Sequence, residues 1–369
     1  MTSASTRALL SVPADVDEVT RLVETVLSAG RAEERRGLVV QTSGSTGVAK
    51  SVVLSVRALR ASAQATEDRL GGPGQWVLAL PAQYVAGLQV IVRSALAGTP
   101  VVHLDPGGGP RAVVEAVELL DSPRRYLSVV PTQLHRWLGG DDQEAAAALA
   151  ELDAVLVGGA PAGSRLLARA RAAGLRVVTT YGMSETCGGC VYDGVPLDGV
   201  AVALGASGHL RVAGPVLFDG YDDRPDLTAQ VLRDGWLHTP DLGELDADGR
   251  LVVLGRADDV VMSGGVNVPL RAVEERLADL PGVEDVVVAA RTDPEWGTRV
   301  VAVVVSSSPA AVPELEAVRD HVSAVHPRAW APREVLAVDA LPLLSSGKVD
   351  RRRLAEQLGL LARTGEATS

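Results

Sequence analysis

From Leu38 to Leu254 short apolar runs alternate with segments of helical period, and this alternation constrains the fold more than any other feature of the chain. Leu38–Gln41, Trp76–Leu80, Val101–Leu104, Val155–Val157 and Arg176–Thr179 read as strands. Ser55 is placed to cap a helix running to Leu70, and Gly87–Ala97, Arg111–Leu120, Pro131–Leu138 and Ser164–Ala173 read as further helices. Strands separated by helices imply parallel or mixed sheets with helical crossovers. After Tyr181 the texture turns β-rich, with turn signals at Asp219-Gly220, Asp234-Gly235 and Asp248-Gly249. A second unit begins near Gly255, with helices at Leu270–Leu280 and Glu314–Val325 and strands at Val283–Arg291, Arg299–Val305 and Glu334–Val338. The expected fold is therefore α/β. A large N-terminal domain (1–254) of mixed sheets with helical crossovers and a β-rich subdomain precedes a small mobile α+β C-terminal domain (255–369). The tail after Gly359 reads as frayed.

A chain of 369 residues with 47% hydrophobic content can bury a core large enough for two domains. Its net charge of −11 argues against a nucleic-acid partner, although a few oriented N–H groups and one cation suffice for a local phosphate site. No apolar run approaches the ~18 residues that cross a bilayer, and no signal peptide is visible. A cytoplasmic protein without membrane insertion is expected, and two cysteines make no disulfide framework.

Of the 35 basic side chains only two, Lys50 and Lys348, are lysine. Each ends a segment rich in glycine and hydroxyls: Thr42-Ser43-Gly44-Ser45-Thr46-Gly47-Val48-Ala49-Lys50, and Leu343-Leu344-Ser345-Ser346-Gly347-Lys348. In a chain so biased toward arginine, a retained ammonium suggests a point charge set against an anion. The first segment follows a strand directly. Its glycines permit a tight turn that exposes N–H groups, which suits a polyphosphate. It is not a Walker loop, because Ala49 stands where that motif needs glycine.

The Thr42–Lys50 segment resembles the phosphate loop of the adenylate-forming superfamily, which comprises acyl-CoA synthetases, adenylation domains and luciferases. Five further segments match in order. Val157-Gly158-Gly159-Ala160-Pro161 resembles its adenine-side loop, and Tyr181-Gly182-Met183-Ser184-Glu185-Thr186 its YGxTE motif. Trp236–Gly243 resembles its W-x-x-T-G-D-x-G segment, with Pro240 in place of the usual glycine. Gly255–Asp259 with Ser263-Gly264-Gly265 resembles its hinge and following strand, and Ser345–Arg351 its C-terminal lysine motif.

The resemblance implies ATP, Mg²⁺ and coenzyme A as cofactor and co-substrates, and a small carboxylic acid as partner. Tyr181 would stack on adenine, with Gly159, Ala160 and Pro161 on its other side. Asp241 would accept from the ribose, with Arg256 assisting. Ser184 would bond phosphate and Glu185 would hold Mg²⁺, a hard cation that prefers oxygen ligands. Lys348 would bridge the reacting carboxylate and the α-phosphate, where a positioned cation stabilises two anions that must meet. Asp258 would be the hinge residue, and Gly264 and Gly265 would leave room for the pantetheine arm.

Some positions stay open. Leu80–Leu88 resembles a P-x-x-H-x-x-G segment at the acyl pocket, but Tyr84 replaces the histidine. Arg93, on the following helix, faces either that pocket or solvent, and solvent is the usual place for an arginine. Cys187-Gly188-Gly189-Cys190 has C-x-x-C spacing, yet no further ligand is near; its position after the YGxTE-like motif places it in the acyl pocket or core.

The short region before the phosphate loop, Leu78–Pro81, Val85–Val90, Arg93-Ser94 and Tyr192–Gly194 resemble the compact actinobacterial o-succinylbenzoate–CoA ligases of menaquinone biosynthesis. That resemblance implies a dicarboxylate substrate, one of whose carboxylates reacts while the other needs a polar or basic partner. Val266 and Pro269-Leu270 depart from the common pattern after the hinge. The short N-terminal region implies a smaller pocket or a different oligomer, a homodimer among them. A ligase for another aryl or acyl acid, an adenylation domain loading a carrier protein, and a non-catalytic nucleotide-binding regulator are the alternatives. Intact Glu185 and Lys348 speak against the last.

Overall fold

The computed structural model describes residues 9–28, 37–42, 50–105, 107–139, 143–306, 308–344 and 348–361. Its centre is a seven-stranded sheet. Five of the strands are parallel, in spatial order Val102–His103, Gln75–Leu78, Arg125–Val129, Ala154–Gly158, Val177–Met183. Gly188–Tyr192 and Val195–Pro196 extend the sheet antiparallel. Period-two alternation splits each strand between two cores. Trp76, Leu78, Tyr126, Ala154 and Leu156 face one, while Val77, Leu127, Val129, Val155 and Val157 face the other. Helices cover both faces, which is why apolar residues occupy both sides of these strands.

Chain order reverses between Gln75–Leu78 and Arg125–Val129, because Val102–His103 lies on the far side of the first of them. At such a switch point the loops leaving the carboxyl ends of neighbouring strands diverge and open a crevice. Leu80-Pro81, Val130-Pro131 and Gly158-Gly159 all leave strands at this edge.

A four-stranded sheet (Leu9–Ser11, Gly37–Gln41, Ser51–Ser55, Gly220–Tyr221) flanks the first core. A five-stranded sheet is built on the long strand Trp236–Leu245, paired on its far part with Leu251–Arg256. Beyond Arg256 a separate core gathers Val261, Val268, Val273, Leu277, Val288, Val304 and Val318. The strands Val283–Asp293 and Gly297–Ser306 again divide their residues, since Val287, Val301 and Val303 face a further cluster with Leu341 and Leu354.

The α/β expectation holds, with large and small parts as anticipated. Ser55 caps Val56–Leu70, its side chain accepting from the Ala58 amide. The chain start carries more structure than the sequence reading assigned it. Leu9–Ser11 pairs parallel to Gly37–Gln41, and Val16–Ser28 is a helix burying Val19, Val23 and Val26 at helical spacing. The strands Ser51–Ser55 and Arg125–Val129 and the helices Gln143–Ala150 and Arg351–Leu358 were likewise not anticipated. They are short, and their ends carry polar residues. The strand ending at Met183 runs four residues further than expected, because Tyr181, Gly182 and Met183 keep pairing with the neighbouring antiparallel strand.

Candidate active site

A cleft of about 2080 Å³ opens along the carboxyl edge of the central sheet and is lined from both the large and the small part. Thr42, Lys50, Tyr84, Arg93, Gly159, Ala160, Pro161, Tyr181, Gly182, Ser184, Glu185, Gly188, Gly189, Asp241, Arg256 and Lys348 all line it. The two lysines of the chain therefore face one cavity from opposite ends of the sequence. Ser43, Gly44, Ser45, Thr46 and Gly47 lie outside the described residues. The two ends of their loop are joined: the Thr42 amide donates to the Lys50 carbonyl at 2.9 Å, and the Lys50 amide donates to Thr42 Oγ1 at 2.9 Å.

Lys50 Nζ lies 5.3 Å from the ring centroid of Tyr221, whose hydroxyl donates to Glu185 Oε1 at 2.7 Å. Burial first, and then the neighbouring carboxylate, push the Tyr221 hydroxyl pKa up, so it stays a donor. Glu185 is thus oriented by one oxygen, and it sits on a single 3₁₀ turn, Ser184–Thr186, at the end of the strand that carries Tyr181. Gly182 has to be glycine: a Cβ would collide with the Gly188 backbone, because the two strands approach closely there.

Tyr181 donates its hydroxyl to Asp241 Oδ2 at 2.6 Å, and burial above all raises its pKa. Asp241 is 8% exposed, and its amide donates to Thr239 Oγ1. Arg256 sits opposite Asp241 in the strand pair but forks onto Asp258, at 2.7 Å and 2.9 Å. The guanidinium expected to assist Asp241 is thus held by the expected hinge residue, which occupies the short turn Ala257–Asp259 between two strands and does not line the cleft.

Lys348 reaches in from the small part. Gly159, at φ +78°, accommodates it: a Cβ there would lie 3.2 Å from Lys348 Cε. Burial lowers the Lys348 pKa, and among the described residues it has no ion-pair partner. A half-buried ammonium with no counter-charge among the described residues suits an anion.

The acyl side of the cleft overturns the solvent-facing option for Arg93. The residue is 3% exposed, because the helix Val85–Ala97 is buried on nearly all sides. Its guanidinium lies 4.9 Å from the Trp76 ring centroid, with a long 3.5 Å contact from Nη2 to the Tyr192 hydroxyl. Glu67, on the helix Val56–Leu70, is also buried; desolvation raises its pKa and Arg93 draws it back down. Tyr84 lines the cleft as the residue preceding that helix.

Cys187 and Cys190 are fully buried free thiols, outside the cleft lining, and burial pushes the Cys190 pKa up to about 12. They are core residues, one of the two places the sequence allowed. Gly264 and Gly265 form the turn between Val260–Ser263 and Val266–Pro269, away from the cleft, and Gly264 packs against the Trp296 indole. Tyr221 was missed: it lies 36 residues from the Glu185 it orients, and its only signal is aromatic character next to a glycine. Tyr192 entered only through the resemblance of Tyr192–Gly194, and its contact with Arg93, 99 residues away, was not legible. Among the described residues no cluster of three or more His, Cys, Asp or Glu side chains could hold a metal by itself, and no helix is long and apolar enough to cross a membrane.

The AMP-binding enzyme profile matches residues 33–221, and that of the AMP-binding enzyme C-terminal domain matches 272–348. The chain is 46% identical over 344 residues to a probable 2-succinylbenzoate–CoA ligase of Mycobacterium tuberculosis, covering 90% of this chain and 88% of that one. It is similar in structure to o-succinylbenzoate CoA synthetase from Bacillus subtilis bound to its acyl-adenylate intermediate. The TM-score is 0.72 at 27% identity, covering 86% of this chain and 68% of that one. The same Bacillus enzyme with ATP and a magnesium ion matches at TM-score 0.72 and 27% identity, covering 86% and 69%.

Proposed function

The chain belongs to the AMP-binding enzyme family, and from that premise we propose that it activates 2-succinylbenzoate with ATP and passes the acyl group to coenzyme A. The products are 2-succinylbenzoyl-CoA, AMP and pyrophosphate. The observation that carries this reading is the convergence of Lys50, Lys348, Tyr181, Asp241 and Glu185 on one cleft whose acyl side ends in a buried arginine.

The nucleotide lies along the switch-point edge, with adenine between Tyr181 and the Gly159–Pro161 loop and the ribose on Asp241. Asp241 keeps one oxygen for Tyr181, so its other oxygen serves the ribose. Glu185 fits Mg²⁺ in the same way: Tyr221 fixes Oε1, which leaves Oε2 for a hard cation that takes its other ligands from phosphate and water. Bound Mg²⁺ would neutralise phosphate charge as the substrate carboxylate approaches. Lys348 holds the reacting carboxylate and the α-phosphate together, and both anions supply the counter-charge that its burial lacks. Arg93 takes the second carboxylate, at a site too dry for an unpaired anion. Large and small domains at 1–254 and 255–369, pivoting about Asp258, would let Lys348 leave so that coenzyme A can enter beside Gly264 and Gly265. We read the enzyme as cytoplasmic. A homodimer, the assembly left open, would appear in sedimentation as twice the 38.3 kDa chain mass.

The test is product analysis. AMP and pyrophosphate should form only with Mg²⁺ and 2-succinylbenzoate present, and thioester only when coenzyme A is added. ADP as product would reject adenylate chemistry. AMP with a different acid and none with succinylbenzoate would keep the family chemistry and remove this substrate.

A further inference from the structure

Gln89 is 1% exposed, yet neither its amide nitrogen nor its amide oxygen has a hydrogen-bond partner among the described residues. A buried primary amide left unmatched costs on the order of 1–3 kcal/mol, so such a residue in a packed helix calls for a reason. Its location supplies one. Gln89 lines the cleft, and its Cγ would lie 3.6 Å from a Cβ at Gly188, on the strand bordering the acyl side. It precedes Arg93 by four residues on the helix Val85–Ala97, so the two share a helix face about 6 Å apart along the axis. Arg93 Nε is unpartnered as well. The helix thus offers the acid a charged donor at the far end and a neutral donor one turn nearer the helix N-terminus.

This inference rests on the substrate reading above. 2-Succinylbenzoate carries a ketone between its two carboxylates. With the far carboxylate on Arg93, the ketone lies between it and the reacting end, within reach of a donor placed beside Arg93 on the same helix face. We propose that Gln89 reads this ketone, its Nε2–H donating to the keto oxygen, and so selects a keto dicarboxylate over the same acid without the carbonyl. A neutral amide suits this task. It satisfies a carbonyl dipole without the desolvation penalty of a second buried cation, and it offers nothing to a methylene.

The experiment compares 2-succinylbenzoate with 4-(2-carboxyphenyl)butanoate, in which a CH₂ replaces the ketone, in pyrophosphate-release assays of the wild type, Gln89→Leu and Gln89→Met. The wild type should prefer the keto acid by about tenfold in kcat/KM, the worth of one hydrogen bond. Both variants should lose that preference through a higher KM for the keto acid alone, with the KM for ATP unchanged. Gln89→Met keeps the side-chain length, so it separates lost recognition from lost packing. An equal loss on both acids, or a wild type indifferent to the ketone, overturns the proposal while leaving the substrate in place. A wild type that uses neither acid overturns the proposal together with the substrate reading on which it stands.

Discussion

Asp279 caps a helix that belongs to the other side of the cleft: Ser164 Oγ donates to its Oδ2 at 2.7 Å, and the Arg165 amide donates to its Oδ1 at 3.0 Å. The helix Ser164–Ala172 begins after Gly163, which has no side chain to cap it. The carboxylate therefore completes the helix only while the small part is seated with Lys348 in the cleft. Asp279→Ala should slow adenylate formation several-fold, as expected for loss of a cap worth about 1 kcal/mol. It should leave coenzyme A attack on a supplied acyl-adenylate unchanged. Assaying the half-reactions separately decides it: equal slowing of both would mean that the contact does not favour one arrangement of the parts.

Lys348→Ala should reduce adenylation by roughly 10² or more, the scale of a lost preorganised transition-state contact, and largely spare the thioester step. Asp258→Pro should do the reverse, trapping the adenylate, because it stiffens the turn Ala257–Asp259 and removes the fork with Arg256. Rapid-quench measurement of bound adenylate distinguishes the two. If Lys348→Ala slowed both steps alike, the pivoting mechanism would be wrong for this protein.

Arg93→Ala should raise KM for the dicarboxylate while sparing that for ATP, because it removes a charge-assisted contact to one substrate only. Glu67 then loses the cation that offsets its burial, so a modest fall in Tm accompanies the change. Unchanged kinetics with a lowered Tm would make Arg93 a structural residue alone.

Asp285 yields a pH prediction. Burial raises its carboxyl from 3.8 to about 6, opposed by the Val286 amide that donates to it. A carboxyl raised on folding costs nothing while both states are protonated, below about pH 3.8. The cost grows through the window to pH 6 and is fully present above it. Asp285→Asn keeps an acceptor for Val286 and should raise Tm at pH 8, by a free energy of about 1–3 kcal/mol. The gain should shrink toward zero near pH 4. Calorimetry across pH 4–8 checks this, and a gain independent of pH would point to a cause other than titration.

Local signals in the sequence determined most of the elements, and they picked out Lys50, Tyr181, Glu185, Asp241 and Lys348, which line one cleft. Ser55 marks a helix start whatever lies around it, and the alternation in Gln75–Leu78 and Ala154–Gly158 divides their side chains between two faces. Glycine segments such as Val157–Pro161 announce a close backbone approach, and the scarcity of lysine singles out Lys50 and Lys348. Tertiary structure decided what depends on neighbours remote in the chain. Arg93 could be assigned to pocket rather than solvent only once Trp76, Glu67 and Tyr192 surrounded it, since a lone arginine on a helix carries no mark of burial. The pairings Tyr181–Asp241, Tyr221–Glu185 and Ser164–Asp279 join residues 60, 36 and 115 positions apart. Gln89 reads in the sequence as an ordinary polar residue. That its amide finds no partner among the described residues follows from how its helix packs beside the cleft, which no local signal announces.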